Sequence, residues 1–263
     1  MRALKSLVWL SLLLVASVGV LLPTAWFYTV SKLPNSVESA ADIELALRVS
    51  IEGERQATQS PLHASVRKQI KWERPELSQY PQRVINAFIG ATGCPTYFKT
   101  KKEEGNPYFK RELDKLVNGR DSRGDGACEL ILSRMLARKL GAATSLQIAV
   151  AADRIHSFLS KEELVTFNLA SIRFDDGVIG VAEGSRVLMQ RELSALTDAE
   201  AAELQLAIPP LDYWDELWEC KNAGVVREAR DTFIARLAQQ GLLAEADART
   251  ATAAPVRCMS VKR

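Results

Sequence analysis

Histidine is nearly missing from this chain: His63 and His156 are the only two in 263 residues. There are four cysteines and no CxxC pair, so nothing has the close ligand spacing of a zinc site. An excess of one charge is also lacking. Lys and Arg number 34 against 32 Asp and Glu, a net charge of +2. That balance gives nucleic acid no footing, because phosphate binding calls for a clear basic excess. The 14 Gly and 10 Pro are too few for a low-complexity chain, and no internal repeat is found. Three catalytic signatures are absent: the GxSxG elbow, HExxH and the phosphate-cradling GxxxxGK[ST]. What is present suits a globular protein: 47% apolar and 25% charged residues, enough for one ordinary domain plus an anchor.

The anchor is read from Leu7 to Val30, which run uncharged as LVWLSLLLVASVGVLLPTAWFYTV. About 20 apolar residues suffice to cross the hydrocarbon core. Trp26, Phe27 and Tyr28 stand at the far end, where aromatic rings favour the interface, and Pro23 is placed to kink the helix there. A cleaved signal peptide fits less well. The run exceeds a signal core, and aromatic residues fill the place of a small-x-small cleavage site. Arg2 and Lys5 put residues 1–6 in the cytoplasm by the positive-inside rule, so everything after residue 31 lies outside. Cys94, Cys128, Cys220 and Cys258 agree with that side. Four cysteines in an oxidising compartment allow two disulfides in three pairings, the alternative being four buried free thiols.

Beyond the anchor the pattern is helical almost throughout. Asn35 to about Thr58 has helical composition with a cap at Asn35 or Ser36. Its neighbours are polar and broken by Pro61, Pro75 and Pro81, so 31–80 reads as a stalk. Pro81–Ala91 carries a helical stripe of Val84, Ile85, Phe88 and Ile89. Residues 99–126 are loop-like, with a short helix around Phe109–Val117. Cys128–Leu140 is an amphipathic helix and Ser145–Phe158 a largely apolar, central one. His156 on that helix reads as a structural histidine; His63 falls in the stalk. Ser160 with Glu163 and Thr197 with Glu200 form capping boxes, starting helices at Lys161 and Asp198. The second must stop at Pro209-Pro210. Between them Asp176-Gly177 is a turn, with a helix from about Val181. Ala223–Gln240 is a long helix closed by Gly241, and the tail from Arg249 looks ragged.

From Tyr80 to about Asp247 the chain resembles the family 51 glycosyltransferases, the peptidoglycan transglycosylases that polymerise lipid II. Ser160–Val165 (SKEELV) falls on that family's SK(D/E)EIL. Without a gap, Ile172–Arg186 (IRFDDGVIGVAEGSR) then falls on its I-x-F-G-x-G-x-Y-G-x-x-A-A-S-R. Leu196–Ala202 falls on its LTLAEAA, and Asn222–Gly241 is similar to its closing segment. Ala87–Gly90 resembles the AFIA before its first catalytic motif, and Leu136–Leu140 the LAKNL after its second. The resemblance implies a mainly α fold: a lysozyme-like helical domain over 81–248, after residues 1–6, the span 7–30 and the stalk 31–80, with a tail at 249–263. It also implies a bacterial inner membrane, with the domain in the periplasm, where lipid II, glycan strands or cell-wall synthesis proteins would be partners.

The functional positions depart from the family's pattern. Its first motif carries Glu-Asp and an aromatic residue; here Thr92-Gly93-Cys94-Pro95-Thr96-Tyr97 has no carboxylate. GGSTITQQ becomes Gly126–Ser133. Counting back from Ser160 puts the second essential carboxylate near Ile148, and the Glu and Asn of ILExYLN become Thr166 and Ala170. Transfer from lipid II needs a base for the attacking hydroxyl and stabilisation of the departing pyrophosphate, and a positioned acid or base is worth about 10²–10⁴ in rate. Thr92, Gly93 and Ile148 cannot serve, so the resemblance implies a domain that has given up catalysis and kept a binding or scaffold role. The divalent metal of the family has no retained ligands, which leaves the cofactor unknown. Glu129, Asp125 or the Glu103–Glu104 pair are candidate relocated acids, each more simply a solvated surface charge. Arg134, Arg138, Lys139 and Lys161 are candidates for a lipid or phosphate site, against ordinary surface charge.

The family's first two motifs face each other across the cleft. The resemblance therefore implies a Cys94–Cys128 bond where the active site was, leaving Cys220 with Cys258 to tie down the tail. The polar segment KTKKEEGNPYFKRELDKLVNGRDSRGD between those motifs argues against deep insertion into the bilayer. Two other readings stand beside this one: a divergent but active transglycosylase with Glu129 or another acid as base, and an unrelated helical periplasmic adaptor.

Overall fold

The computed structural model describes residues 37–57, 74–102, 126–174, 178–208 and 222–257. Within them lie nine α-helices and no strand: α1 (Ala40–Ala57), α2 (Gln82–Ala91), α3 (Gly126–Lys139), α4 (Ser145–Phe158), α5 (Lys161–Ala170), α6 (Val181–Leu188), α7 (Asp198–Leu206), α8 (Ala223–Gln239) and α9 (Glu245–Ala253). The fold is mainly α, as the sequence leads one to expect. The span read at 7–30, the helix around Phe109–Val117 and the Pro209-Pro210 stop lie outside the described residues, as do Cys220 and Cys258. Among those described, no helix is long and apolar enough to cross a membrane.

Local chemistry fixes the helix starts. Ser160 accepts the Glu163 amide while the Glu163 carboxylate accepts the Ser160 amide, and Thr197 and Glu200 repeat the exchange. Each box satisfies two amides that a bare helix start leaves without an intrahelical partner. A third box, Thr144 with Gln147, opens α4. Gly241 closes α8 at φ +68°, with the Leu242 amide donating to the Leu237 carbonyl. That is the six-to-one bond of a glycine-terminated helix. Arg173 and Ile179 form an isolated antiparallel bridge on either side of the Asp176-Gly177 position, which itself lies outside the described residues.

The helices enclose two connected apolar clusters. The larger is built on α3, α4 and α5, with α3 packed along both others. Leu132, Leu136, Ile155, Leu164 and Phe167 are fully buried in it. The smaller joins α7, α8 and α9 around Ala202, Phe233, Ile234 and Leu237. Helix α2 bridges them: Val84, Ile85 and Phe88 face the first and Ala87 the second. Gly90 permits the bridge, since a Cβ there would stand 2.1 Å from Leu237 Cδ2.

Two boundaries differ from the sequence reading. Helix α1 starts after Ser39, whose hydroxyl accepts the Asp42 amide, three or four residues beyond the caps expected at Ser36 or Asn35. Nor is it part of a stalk: Val37, Ile43 and Leu47 are buried in the larger cluster, and Arg154 of α4 donates to the Val37 carbonyl. Ile43, Leu47 and Ile51 make one i, i+4, i+8 stripe, so this helix belongs to the domain. At the other end the tail expected from Arg249 is helical to Ala253, because Ala248 and Ala251 bury against α7 and α8.

Candidate functional site

Glu129 lies in the first turn of α3 and is 1% exposed, buried rather than the solvated surface charge expected. The neutral apolar surroundings would penalise a lone carboxylate there by several kcal/mol. Two cations or potential cations meet it. Lys161, the first residue of α5, brings its Nζ to 2.9 Å from Glu129 Oε1. His156, in the last turn of α4, places Nε2 3.4 Å from Glu129 Oε2. The Ser160 capping box points α5 so that Lys161 leads inward. Helices α3 and α4 run antiparallel across residues 140–144, which brings the end of one beside the start of the other.

A strap covers this centre. Residues 92–102 leave the end of α2 and cross over Lys161, whose ammonium donates to the Tyr97 carbonyl (2.6 Å), the Thr100 carbonyl (2.7 Å) and the Thr100 hydroxyl (2.9 Å). The Tyr97 hydroxyl in turn donates to the Lys161 carbonyl, and the ammonium lies 4.9 Å from the Tyr97 ring centre. Burial, together with the negative charges of Glu129 and Glu162, pushes the Tyr97 hydroxyl above its ordinary range. Lys102 reaches the Leu159 carbonyl and holds the far end. The near end is held covalently: Cys94 and Cys128 form a disulfide, with Cα atoms 5.6 Å apart. That is the pairing the family resemblance implies.

The remaining sequence-designated positions do not gather here as a set. Thr92 caps α2 and donates to the Ile89 carbonyl; Gly93 follows at φ +73°. Both adjoin Cys94, so the first-motif positions do border the Glu129 centre. Ile148 does not. It lies on α4 eight residues before His156, about 12 Å along the helix axis, packed against the larger cluster. The four basic residues likewise fail to form one anion site. Lys161 is spent on Glu129 and the strap. Lys139 turns inward to the Asn168 carbonyl and the Ser171 hydroxyl, and burial pulls its ammonium down to about 7. Arg138 is exposed and Arg134 half-buried. Lys139 stands ten residues from Glu129 on α3, about 15 Å from the Lys161 end. Lys139 and Lys161 thus serve different partners.

A second buried ionic centre was not read from the sequence. Arg230 of α8 and Glu203 of α7, both 0% exposed, pair at 2.8 Å. Arg230 also donates to Asp231 and to the Thr252 carbonyl of α9. The Arg257 amide donates to Glu203 and its guanidinium to Glu200, which Arg191 also approaches. Burial raises the Glu203 carboxyl to about 7 against the opposing pull of Arg230. Open clefts lie on this side of the domain, one of about 390 Å³ between Leu206, Val225 and Phe233, and one of about 250 Å³ beside Arg83 and Asp247.

A general base must reach its substrate proton within hydrogen-bond distance. Glu129 as placed is covered by the strap and engaged by Lys161, so the closed arrangement holds charge but offers no base to solvent. Among the described residues no three His, Cys, Asp or Glu side chains are grouped to hold a metal ion. No protein-family model and no curated protein matches the chain.

Proposed function

We propose that this chain is a membrane-anchored, family-51-like domain of the bacterial cell envelope that binds or scaffolds the cell-wall machinery without polymerising lipid II. Its N-terminus lies in the cytoplasm and its helical domain in the periplasm. The lysozyme-like arrangement of the family is the fold this reading requires. The observation that carries it is the state of Glu129. This acid stands beside the degenerate first-motif positions Thr92 and Gly93 and is buried, paired to Lys161 and roofed by a disulfide-bonded strap. A catalytic carboxylate would need access to a sugar hydroxyl, and the dispersal of Arg138, Lys139 and Lys161 leaves the pyrophosphate without a clamp.

Lipid II polymerisation by the purified full chain tests it. Glycan strands should not rise above background with or without divalent metal. Strands made by the wild type and lost in Glu129→Gln would reverse the conclusion and favour the divergent enzyme. One observation favours that second reading: His156 beside Glu129 makes an acid–base grouping of the right chemistry, once uncovered. An experimentally determined structure with an unrelated helical arrangement would instead leave a periplasmic adaptor.

A further inference from the structure

We propose that the Cys94–Cys128 disulfide is a redox latch: reduction by a dithiol frees the strap 92–102 and opens the Glu129–Lys161–His156 centre to solvent. The latch stands on the described residues alone, whichever function above holds.

The strap's attachments divide into two kinds. One is covalent, at Cys94. The others are non-covalent, and among them are three hydrogen bonds from Lys161, one from the Tyr97 hydroxyl and one from Lys102 to Leu159. These five end at Leu159 or the first residue of α5, while Thr92 and Cys94 bond back to the Ile89 carbonyl of α2 and the Tyr97 side chain is buried in the larger apolar cluster. What the strap covers is ionisable. Buried charges favour returning to water, and only good geometry and full hydrogen bonding offset that tendency. A covalent tie over such a centre opposes opening; without it, desolvation of Glu129 and Lys161 favours opening. Neither end of the strap enters the α7–α8–α9 cluster, so the strap can open locally while that cluster stays folded.

The chemistry balances with a named reductant. Cys94 is 1% exposed and Cys128 half-buried, so thiolate attack falls on Cys128 Sγ. The Cys128–Cys94 bond breaks, a mixed disulfide forms at Cys128, and Cys94 leaves as a thiolate that takes up a proton. The second thiol of the reductant then closes on the first, releasing Cys128. The dithiol loses two electrons and two protons and becomes a cyclic disulfide; the protein gains two thiols.

The test uses the folded full chain with dithiothreitol at neutral pH. Three readouts are taken together: alkylation of Cys94 and Cys128, hydrogen exchange by segment, and carbodiimide labelling of Glu129. The expected result is alkylation of both cysteines, exchange in 92–102 faster by about tenfold or more, and new labelling at Glu129, with α7 and α8 still protected. Glu129 unlabelled after both cysteines are alkylated would make the bond a plain staple and sink the proposal. So would loss of protection in every helix, or a disulfide that resists the dithiol while the chain stays folded. The Cys94→Ser/Cys128→Ser double variant gives the same reading without reductant. It should fold with Glu129 open to the label; a folded variant that keeps Glu129 covered, or a variant that cannot fold, overturns the latch.

Discussion

Among the described residues are two buried ionic centres, and they are closed in different ways. Around Glu203 the cation is Arg230, whose planar guanidinium forks to Glu203, Asp231 and the Thr252 carbonyl. Around Glu129 it is Lys161, a point charge that uses its donors on one carboxylate and on the strap's Tyr97 and Thr100. The guanidinium's rigid fork suits a centre fixed by three helices. The ammonium's flexible stem suits one whose cover is a loop. The first centre is roofed by α9 and Arg257 through non-covalent contacts, the second by a disulfide. Two solutions to one desolvation problem thus sit in one domain, and among the described residues the second is the one that carries a disulfide.

The largest expected effect strikes both centres by removing their cations. Arg230→Met should lower stability by about 3–5 kcal/mol, because it strands a fully buried carboxylate. Lys161→Met should fall at the low end of that range, since Lys161 is 8% exposed and Glu129 keeps His156 nearby. Urea denaturation measures both. A Lys161→Met loss below about 1 kcal/mol would mean that Glu129 is not a buried charge and would break the comparison. Replacing Glu129 and Lys161 together by Leu and Met should cost less than either single change.

Next comes the covalent difference. The disulfide closes a sequence separation of 34 residues. Its removal in the Cys94→Ser/Cys128→Ser variant should lower stability by about 3–4 kcal/mol, largely through the unfolded chain. Neither cysteine lies in the Glu203 cluster, so the same substitutions should speed exchange in α8 and α9 far less than in the strap.

A smaller effect separates the centres by pH. The Glu203 carboxyl is raised from 4.5 to about 7 in the folded chain. Between those values the native state holds the proton that the unfolded chain has lost. Stability is therefore greatest at the acid end of this window and declines as pH rises through it, by at most about 1.4 kcal/mol per pH unit. Glu203→Gln should flatten that slope. A stability that climbs from pH 4.5 to 7 through Glu203 would show that Arg230 outweighs burial there.

The smallest effect compares the two capping boxes. Ser160→Ala and Thr197→Ala should each cost about 1 kcal/mol. Only Ser160→Ala should also speed exchange in the strap, because α5 starts by aiming Lys161 at Tyr97 and Thr100.

Much of the helix pattern was legible because it rests on neighbours in sequence. Ser160–Glu163, Thr197–Glu200 and Gly241 each act within one turn, and α4 runs over Ser145–Phe158 as its apolar stretch suggests. Helix α1 was legible too: Ile43, Leu47 and Ile51 form a core stripe. The polar, proline-broken residues beyond it hide that stripe, because they make the whole of 31–80 resemble a stalk. The centre around Glu129 was not legible. Its three ionisable groups come from three helices and its cover from the 92–102 strap, so no spacing in the sequence announces it. The Cys94–Cys128 bond followed only from the family resemblance, since four cysteines leave three pairings. The Glu203–Arg230 pair was missed for the same reason as Glu129: each partner looks like surface charge on its own helix.

The burial of Val37 sets a distance. With a proposed span ending at Val30, only residues 31–36 separate the bilayer from the first residue seated in the core. At about 3.5 Å per extended residue that leash is about 25 Å long. A fifty-residue stalk would allow a far wider reach. On that proposal a leash this short would keep the domain grazing the membrane surface, and any partner would lie within about one domain's width of the lipid.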